Sequence, residues 1–421
     1  MKIGIYLRSV ASSRGAEQVA AAIARGLAAR GHPVDLIVED SGGWLLEELA
    51  AHVPPVGVVV LGTFASGRLG HRMAQARAVA SAFLRPSGWR RAGTAWVAPF
   101  LRVIRRDDPP LAALARYVSQ ARPDVLLSLL NYPNLVLALL APLVGDRVRR
   151  VVSVHNHLST AAARSESRWV RSVPALMRRF LRDVDAIVAT SHGVAADLEA
   201  LAGPAAGAVR VIHNPGYRPE ADQLAAEPSG HPWLDAPGPP VVLGVGKLKP
   251  QKDFATLLRA FARLRRARSA RLVILGEGSE REALLALAKE LGIGDDVDLP
   301  GFVRNPYPFY ARSAVFALSS AWEGFGNVVV EALACGCSVV STDCPSGPAE
   351  ILDGGRFGRL VPVGDDAALA AALVSTLDAP QAPETSRARA RDFSLDAAIA
   401  AWEALLAGSD ETSRPEGRRR A

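Results

Sequence analysis

Ser319-Ser-Ala-Trp-Glu-Gly-Phe-Gly-Asn-Val-Val-Val-Glu-Ala-Leu-Ala-Cys-Gly336 is the stretch that decides the fold of the second half of this chain. The apolar run before it, Ala314-Val-Phe-Ala-Leu318, predicts a buried strand. Two glycines then predict a turn, and the apolar run that follows predicts a helix ending at Gly336. A strand, a turn and a helix in this order leave backbone N–H groups without acceptors at the helix N-terminus. Such a terminus attracts anions, phosphate above all.

Two carboxylates, Glu323 and Glu331, lie eight positions apart in this stretch. The turn places Glu323 at the mouth of an anion site, and Glu331 falls about a turn further in, within reach of ligand hydroxyls. The pattern therefore indicates a ligand that carries both phosphate and hydroxyl groups, such as a nucleotide sugar. The alternative interpretation is a loop Glu323 and a solvated Glu331 on the outside of the helix.

The two glutamates, with Gly-Phe-Gly between them, resemble the retaining glycosyltransferases of family 4, which have the GT-B fold. This resemblance covers roughly residues 1–407 and implies two doubly wound, Rossmann-like α/β domains facing across a cleft. It implies that Glu323 orients the donor sugar and that Glu331 binds the ribose hydroxyls. The donor contacts that it implies in the turn are those of Gly324, Phe325, Gly326 and Asn327.

A second loop, in Pro240-Val-Val-Leu-Gly-Val-Gly-Lys-Leu-Lys-Pro-Gln-Lys-Asp253, is rich in lysine. The chain has only five lysines against 44 arginines, and three of them fall between residues 247 and 252. A strand followed by a glycine and a basic loop indicates an anion site. The loop resembles the basic loop of the family, which implies that Lys247 and Lys252 neutralise the donor diphosphate. The alternative is an ordinary surface loop.

Two further segments resemble the nucleotide pocket of the family. Arg271-Leu-Val-Ile-Leu-Gly-Glu-Gly-Ser-Glu280 places Glu277 near the nucleotide, and Val297-Asp-Leu-Pro-Gly-Phe-Val303 implies a base contact through the backbone of Val303. The segment from Ser338 to Ile351 resembles bacterial members that build surface polysaccharides.

The chain opens with a strand pattern, Lys2-Ile-Gly-Ile-Tyr-Leu7, then an alanine-rich helix pattern and a second strand, which is typical of doubly wound α/β domains. Gly15-Ala-Glu17 matches part of the glycine loop of the family, which implies that Gly15 approaches the donor; a glycine needed only for the turn is the alternative. The resemblance also assigns a donor-sugar contact to His155 at a strand end, with His157 as the second choice.

We predict an N-terminal acceptor-side domain over residues 1–215 and a linker over 216–239, which is rich in Pro, Ala, Gly and Glu. A nucleotide-sugar-binding domain over 240–392 follows. The resemblance adds a helix over 393–407 that crosses back to the N-terminal domain, and 408–421 is predicted to be a disordered tail.

Charge is uneven along the chain. Residues 1–220 hold 27 Lys and Arg against 16 Asp and Glu, and residues 49–106 contain nine arginines and no acidic residue. Aromatic residues are interleaved there, which suits an anionic membrane surface as well as it suits a solvated basic face. No nucleic-acid-reading motif accompanies the charge, so nucleic acid is not expected as a partner.

No signal peptide and no membrane-spanning segment is expected. The three cysteines, Cys335, Cys337 and Cys344, are interpreted as core residues in a reducing cytosol. Asp183-Val-Asp185 and Asp296-Val-Asp298 look like metal-binding Asp-x-Asp pairs, but each lies at the edge of an apolar strand. We expect no metal site and no cofactor besides the donor substrate.

These patterns and the resemblance together predict a metal-independent, retaining hexosyltransferase. It would move a sugar from a nucleotide diphosphate-sugar, with UDP favoured, to a hydroxyl of a glycan or a lipid-linked acceptor. We expect it in the cytoplasm, or peripheral on the inner face of the membrane. Two alternatives stay open: a GT-B sugar-nucleotide epimerase, and a non-catalytic scaffold that binds nucleotide sugar.

Overall fold

The structure, a computed structural model, describes residues 1–10, 15–39, 44–50, 54–61, 110–203 and 209–408. The chain divides into two units. The first comprises Met1–His213 together with Ala398–Ala421, and the second comprises Asn214–Ala397.

The first unit has a parallel sheet whose described strands run in the order β3-β2-β1-β4-β5-β6-β7. The strands are β1 Ile3–Tyr6, β2 Val34–Val38, β3 Gly57–Val60, β4 Val125–Leu129, β5 Arg149–Val154, β6 Ala186–Ala189 and β7 Val209–Val211. The described helices are α1 Gly15–Ala29, α2 Trp44–Ala50, α3 Pro110–Ala121, α4 Asn131–Leu139, α5 Ala141–Val144, α6 Leu158–Ala163, α7 Arg168–Phe180 and α8 His192–Ala202. The central strands are continuous apolar runs, as expected where helices cover both faces of a parallel sheet.

The second unit has a parallel six-stranded sheet in the order β10-β9-β8-β11-β12-β13. The strands are β8 Val241–Val245, β9 Arg271–Leu275, β10 Val297–Gly301, β11 Val315–Leu318, β12 Val339–Thr342 and β13 Arg359–Val361. The helices are α9 Ala221–Ala226, α10 Pro232–Asp235, α11 Phe254–Ala267, α12 Arg281–Glu290, α13 Tyr307–Arg312, α14 Asn327–Ala334, α15 Pro348–Ile351, α16 Asp366–Asp378 and α17 Pro383–Arg391.

Alternate residues of each central strand in the second unit pack into two separate cores. Val242 and Leu272 belong to the core that contains α11 and α16. Val241 and Val273 belong to the opposite core, which contains α13 and α14. Because side chains of a strand alternate between the two faces of a sheet, these runs must be apolar at every position.

The segment predicted as a linker, residues 216–239, differs from that prediction because it is folded and carries α9 and α10. His231 caps α10 and its Nε2 lies 2.9 Å from Asp298 Oδ2, which ties the segment to β10. Local composition rich in Pro, Gly and Ala concealed this packing.

The last helix, α18 Leu395–Ala407, belongs to the first unit from Ala398 onward. Glu403 accepts hydrogen bonds from Arg30 at 2.6 Å and pairs with His32 at 2.9 Å. Near the end of the helix, Arg149 donates to the carbonyl of Leu406 at 3.2 Å.

All three cysteines are buried in the second unit as free thiols. Burial raises the pKa of the Cys337 and Cys344 thiols to about 12, so both are protonated at neutral pH.

Most of the basic stretch at 49–106 and nearly all of the predicted tail at 408–421 lie outside the described residues. No helix of the described part has the length and apolar character that crossing a membrane requires.

Gly276 offers a test of backbone packing between β8 and β9. It has φ +139°, and a Cβ there would lie 1.9 Å from the carbonyl oxygen of Gly246. We expect Gly276→Ala to lower the free energy of unfolding by at least about 2 kcal/mol more than Gly292→Ala does, as overpacking costs typically do. Gly292 is the matched control because it has φ +69° and nothing within 4 Å of its Cβ position. Equal losses in urea denaturation would contradict the close approach.

Candidate functional site

The turn at residues 319–326 is held on both sides by hydrogen bonds to neighbouring loops. Gln251 Nε2 donates to the carbonyl of Trp322 at 2.8 Å, and Ser346 Oγ donates to the carbonyl of Glu323 at 2.8 Å. These two residues lie in the loops that follow β8 and β12, the neighbours of β11 in the sheet. The turn is therefore fixed in position at the carboxyl edge of the sheet.

Glu323 and Lys252 form an ion pair, with 2.5 Å between Lys252 Nζ and Glu323 Oε1. Their side chains are only 8% and 14% exposed, respectively. Ser320 Oγ donates to the same carboxylate oxygen at 2.6 Å. Oε2 has no hydrogen-bond partner among the described residues. This second oxygen can accept a hydrogen bond from a hydroxyl of a ligand.

The N-terminus of α14 has no side-chain cap. Gly326 occupies the N-cap position with φ +99°, and Asn327 is the first helical residue. Gly347 packs behind the turn, where a Cβ would lie 1.9 Å from the carbonyl oxygen of Phe325. Since the first N–H groups of a helix have no intrahelical acceptors, this terminus can bind an anion.

Glu331 lies one turn into α14 and accepts a hydrogen bond from the hydroxyl of Tyr310 at 3.0 Å. Burial raises the pKa of Glu331, while the Tyr310 hydrogen bond and the positive charges of Arg218 and Lys252 oppose that rise. Lys252 thus interacts with both glutamates: it forms an ion pair with Glu323, and its positive charge also acts on Glu331.

The other predicted donor residues of the second unit lie along the same sheet edge. Lys247 is exposed directly after β8, and Leu248 N–H donates to the carbonyl of Glu277 at 2.9 Å. The Glu277 side chain is more than half exposed, and Val303 is partly buried against the core that contains α13 and α14.

Two residues of the turn have no side-chain surface for a ligand. Phe325 is buried, with its ring centroid 5.4 Å from that of Phe393, and Gly324 is also buried. Phe325 therefore stabilises the turn from the core side, and only its backbone remains available to a donor.

In the first unit, His155 lies at the end of β5, and its Nε2 is 3.0 Å from Ser153 Oγ. Burial lowers the pKa of His155 to about 4, so its ring is neutral at pH 7. His157, the second choice, instead caps α6, accepting a hydrogen bond from Thr160 N–H at 3.4 Å. Gly15 is the exposed first residue of α1, and the residues before it lie outside the described ranges.

Sequence reasoning missed the residues that hold the predicted ones in place. Ser320 lies three residues before Glu323 and bonds to it within the turn, whereas Gln251 lies next to Lys252 and bonds to the neighbouring loop. Nothing in a serine or a glutamine alone indicates either bond. The Tyr-rich start of α13 was visible in the sequence, and Tyr310 is the residue of that helix that contacts Glu331.

The carboxylates of the two Asp-x-Asp segments each have a basic partner. The pairs and the shortest distances between their side-chain atoms are Asp183–Arg179 at 3.2 Å, Asp185–Arg150 at 3.4 Å, Asp296–Arg265 at 2.7 Å and Asp298–His231 at 2.9 Å.

The Lys252–Glu323 pair predicts a large effect of removing one partner. Lys252→Met leaves a buried carboxylate without its cation, and we expect a loss of about 3 kcal/mol in the free energy of unfolding. The double variant Lys252→Met with Glu323→Gln should lose less free energy of unfolding than Lys252→Met alone, as measured by urea denaturation. Arg268→Met is the control, because its 2.6 Å pair with Asp378 is exposed and should be worth under about 1 kcal/mol. Similar losses for both single variants would contradict a buried pair.

The lowered pKa of His155 predicts a pH dependence of stability. The unfolded chain binds a proton near pH 6.5 while the folded state resists it, so stability should fall as pH drops from 6.5 towards 4. Between pH 7 and pH 5 the free energy of unfolding of His155→Gln should therefore fall by about 1 to 2 kcal/mol less than that of the wild type. Direct NMR titration of His155 provides the check, and a midpoint near 6.5 would contradict it.

Comparison with known families matches both units. Residues 13–215 match the family model described as Glycosyltransferase Family 4, and residues 239–379 match the one described as Glycosyl transferases group 1.

Two curated bacterial relatives illustrate the similarity. One is N-acetylgalactosamine-N,N'-diacetylbacillosaminyl-diphospho-undecaprenol 4-alpha-N-acetylgalactosaminyltransferase of Campylobacter jejuni. The chain is 35% identical to it, over 59% of this chain and 66% of that protein. It is 34% identical to the lipopolysaccharide core biosynthesis glycosyltransferase LpsE of Rhizobium meliloti, over 46% of this chain and 54% of that protein. The matched regions thus span about half to two thirds of these relatives.

Among solved structures, Anabaena HepE in complex with UDP and glucose superposes with a TM-score of 0.70 at 20% identity, covering 97% of this chain and 100% of that one. At this identity the match shows the fold alone. It agrees with the two Rossmann-like units described above, and the predicted fold class is confirmed. The chain belongs to the glycosyltransferases of family 4, with the α/β architecture of the GT-B type.

Proposed function

We propose that this chain transfers a hexosyl group from a nucleotide diphosphate-sugar, with a UDP-sugar favoured, to a hydroxyl of a glycan or lipid-linked acceptor. We further propose that the transfer retains the anomeric configuration. The observation that carries the proposal is the buried ion pair of Lys252 with Glu323, because Glu323 lies in the turn that leads to the uncapped N-terminus of α14.

The pair and the helix terminus suit a leaving diphosphate. Lys252 has three donor hydrogens, of which Glu323 engages one, so the ammonium can also contact a phosphate oxygen. The N–H groups at Gly326 and Asn327 lie at the positive end of the α14 dipole. Donors that are already positioned stabilise the charge that develops on the leaving group, which is the main task in such a reaction.

The two glutamates suit the hydroxyl-bearing parts of the donor. Glu323 Oε2 is the oxygen left for a sugar hydroxyl, and Glu331 is the carboxylate for the ribose. Tyr310 holds one oxygen of Glu331, which leaves the other for a ribose hydroxyl. His155 is proposed to contact the donor sugar, as the family resemblance implies.

The reaction breaks the bond between the sugar C1 and the diphosphate oxygen and forms a bond between C1 and the acceptor oxygen. The proton of the acceptor hydroxyl passes to the departing diphosphate, which becomes the base. Retention through front-face attack is what the family resemblance implies, and the chain then works mainly by positioning and charge stabilisation.

Metal independence is also proposed. Lys252 supplies a positive charge at the site, and the four Asp-x-Asp carboxylates are engaged with basic side chains. These contacts support a donor site that works without a divalent ion.

The Campylobacter relative is named for a diphospho-undecaprenol substrate, which supports a lipid-linked acceptor. The Anabaena structure contains UDP, which supports a UDP-sugar donor. The arginine-rich stretch at 49–106 would suit an anionic membrane surface, so we propose peripheral association with the inner face of the membrane.

Calorimetric binding of UDP, GDP and ADP in the presence of chelator tests the donor site. We expect one nucleotide to bind tightly and Lys252→Ala to weaken it by about 1.5 to 3 kcal/mol, the value of a charge-assisted hydrogen bond. Lys289→Ala is the matched control, since Lys289 is exposed at the end of α12, and it should bind as the wild type does. Equal affinity in the two variants would remove Lys252 from the site.

The product distinguishes the alternatives. Incubation with the matching nucleotide sugar and a lipid-linked or glycan acceptor should give a glycoside with the anomeric configuration of the donor, as read by proton NMR. Conversion of the donor without acceptor would favour the epimerase. Binding of the nucleotide sugar with neither transfer nor conversion would favour the scaffold.

A further inference from the structure

A line of buried polar side chains runs beneath the carboxyl edge of the first sheet and ends at His155. Ser128 Oγ lies 2.8 Å from Asn134 Oδ1, Asn134 Nδ2 lies 2.7 Å from the carbonyl of Ser153, and Ser153 Oγ lies 3.0 Å from His155 Nε2. Ser128, Asn134 and Ser153 are at most 1% exposed. Polar groups this deeply buried must satisfy one another.

The donors and acceptors along this line can be assigned from one end. The amide of Asn134 donates to the Ser153 carbonyl, which orients its oxygen towards Ser128, so the Ser128 hydroxyl donates. These two hydrogen bonds fix the position of the Asn134 side chain, which belongs to helix α4, and of the β5 backbone at Ser153.

The Ser153 hydroxyl has one hydrogen-bond partner among the described residues, namely His155 Nε2. If His155 donated to it, the hydroxyl hydrogen of Ser153 would be buried without an acceptor, which costs free energy. The hydroxyl therefore donates, and Nε2 accepts.

A neutral imidazole carries a single N–H, so a ring that accepts at Nε2 must have its hydrogen on Nδ1. Nδ1 makes no hydrogen bond to any described residue, and it is not among the fully buried atoms that lack a partner. It is therefore the nitrogen that a ligand can reach.

We propose that Ser153 is a positioning residue: it fixes His155 as the Nδ1–H tautomer, so that the ring presents a hydrogen-bond donor to an oxygen of the donor sugar. The identity of that oxygen as part of a sugar rests on the proposed function, whereas the tautomer does not.

Burial lowers the pKa of His155 to about 4, in agreement with a ring that carries one proton at pH 7. The hydrogen bond from Ser153 acts in the same direction, because a donor aimed at Nε2 stabilises the neutral ring.

The test compares Ser153→Ala with Ser128→Ala, a matched change of a buried serine in the same line that does not contact His155. Two-bond proton–nitrogen NMR spectra of histidine-labelled protein report the tautomer, and His155→Gln identifies its signals among the eight histidines. We expect Nδ1–H in the wild type and in Ser128→Ala at pH 7. In Ser153→Ala we expect the Nε2–H tautomer to become populated and the pKa of His155 to rise.

An Nε2–H tautomer in the wild type would overturn the proposal, and so would an unchanged tautomer in Ser153→Ala. Where sugar transfer is observed, kcat of Ser153→Ala should fall about threefold to tenfold, the effect of one oriented hydrogen bond. A wild type that transfers no sugar would defeat the proposed function alone, because the tautomer spectra still decide the role of Ser153.

Discussion

The second unit depends on the buried pair of Lys252 and Glu323. A carboxylate that is 8% exposed is stable in its charged form only beside a cation and hydrogen-bond donors, and Lys252 and Ser320 supply both. The pair joins the loop after β8 to the turn after β11. These strands are neighbours in the sheet although β9 and β10 intervene in the sequence. The pair therefore lies at the switch point of the strand order, where open α/β sheets form their binding crevice.

Local sequence signals predicted most of the framework of both units. Short apolar runs ended by glycines and polar residues indicate buried parallel strands, and the turn at 319–326 has a glycine at position 326, where φ is +99°. The segment at 216–239 shows where such signals fail. Its composition indicates a linker, yet the contact of His231 with Asp298 is a tertiary interaction that local composition does not encode. Phe325 shows a related limit, since a motif residue can act entirely from the core side.

The first unit shows how two identical side chains acquire different tasks. His155 and His157 are two positions apart, and sequence alone gives no physical reason to separate them. His155 follows strand β5 and is hydrogen-bonded to the hydroxyl of Ser153. His157 caps helix α6, and together with Asp197 it accepts hydrogen bonds from the first N–H groups of that helix. The difference arises from where β5 ends, which depends on pairing with its neighbours rather than on the histidines.

Most of helix α18 belongs to the first unit but follows the second unit in the sequence. The second unit is therefore an insertion within the first. A ribosome therefore releases all of Asn214–Ala397 before it releases the partners of Arg30, His32 and Arg149. Domains generally fold as they emerge, so the second unit can reach its native state while the first still lacks its last helix. The first unit can be completed only after the final segment has been synthesised. A chain that ends before Ala398 would lack part of the first unit but would contain the whole of the second.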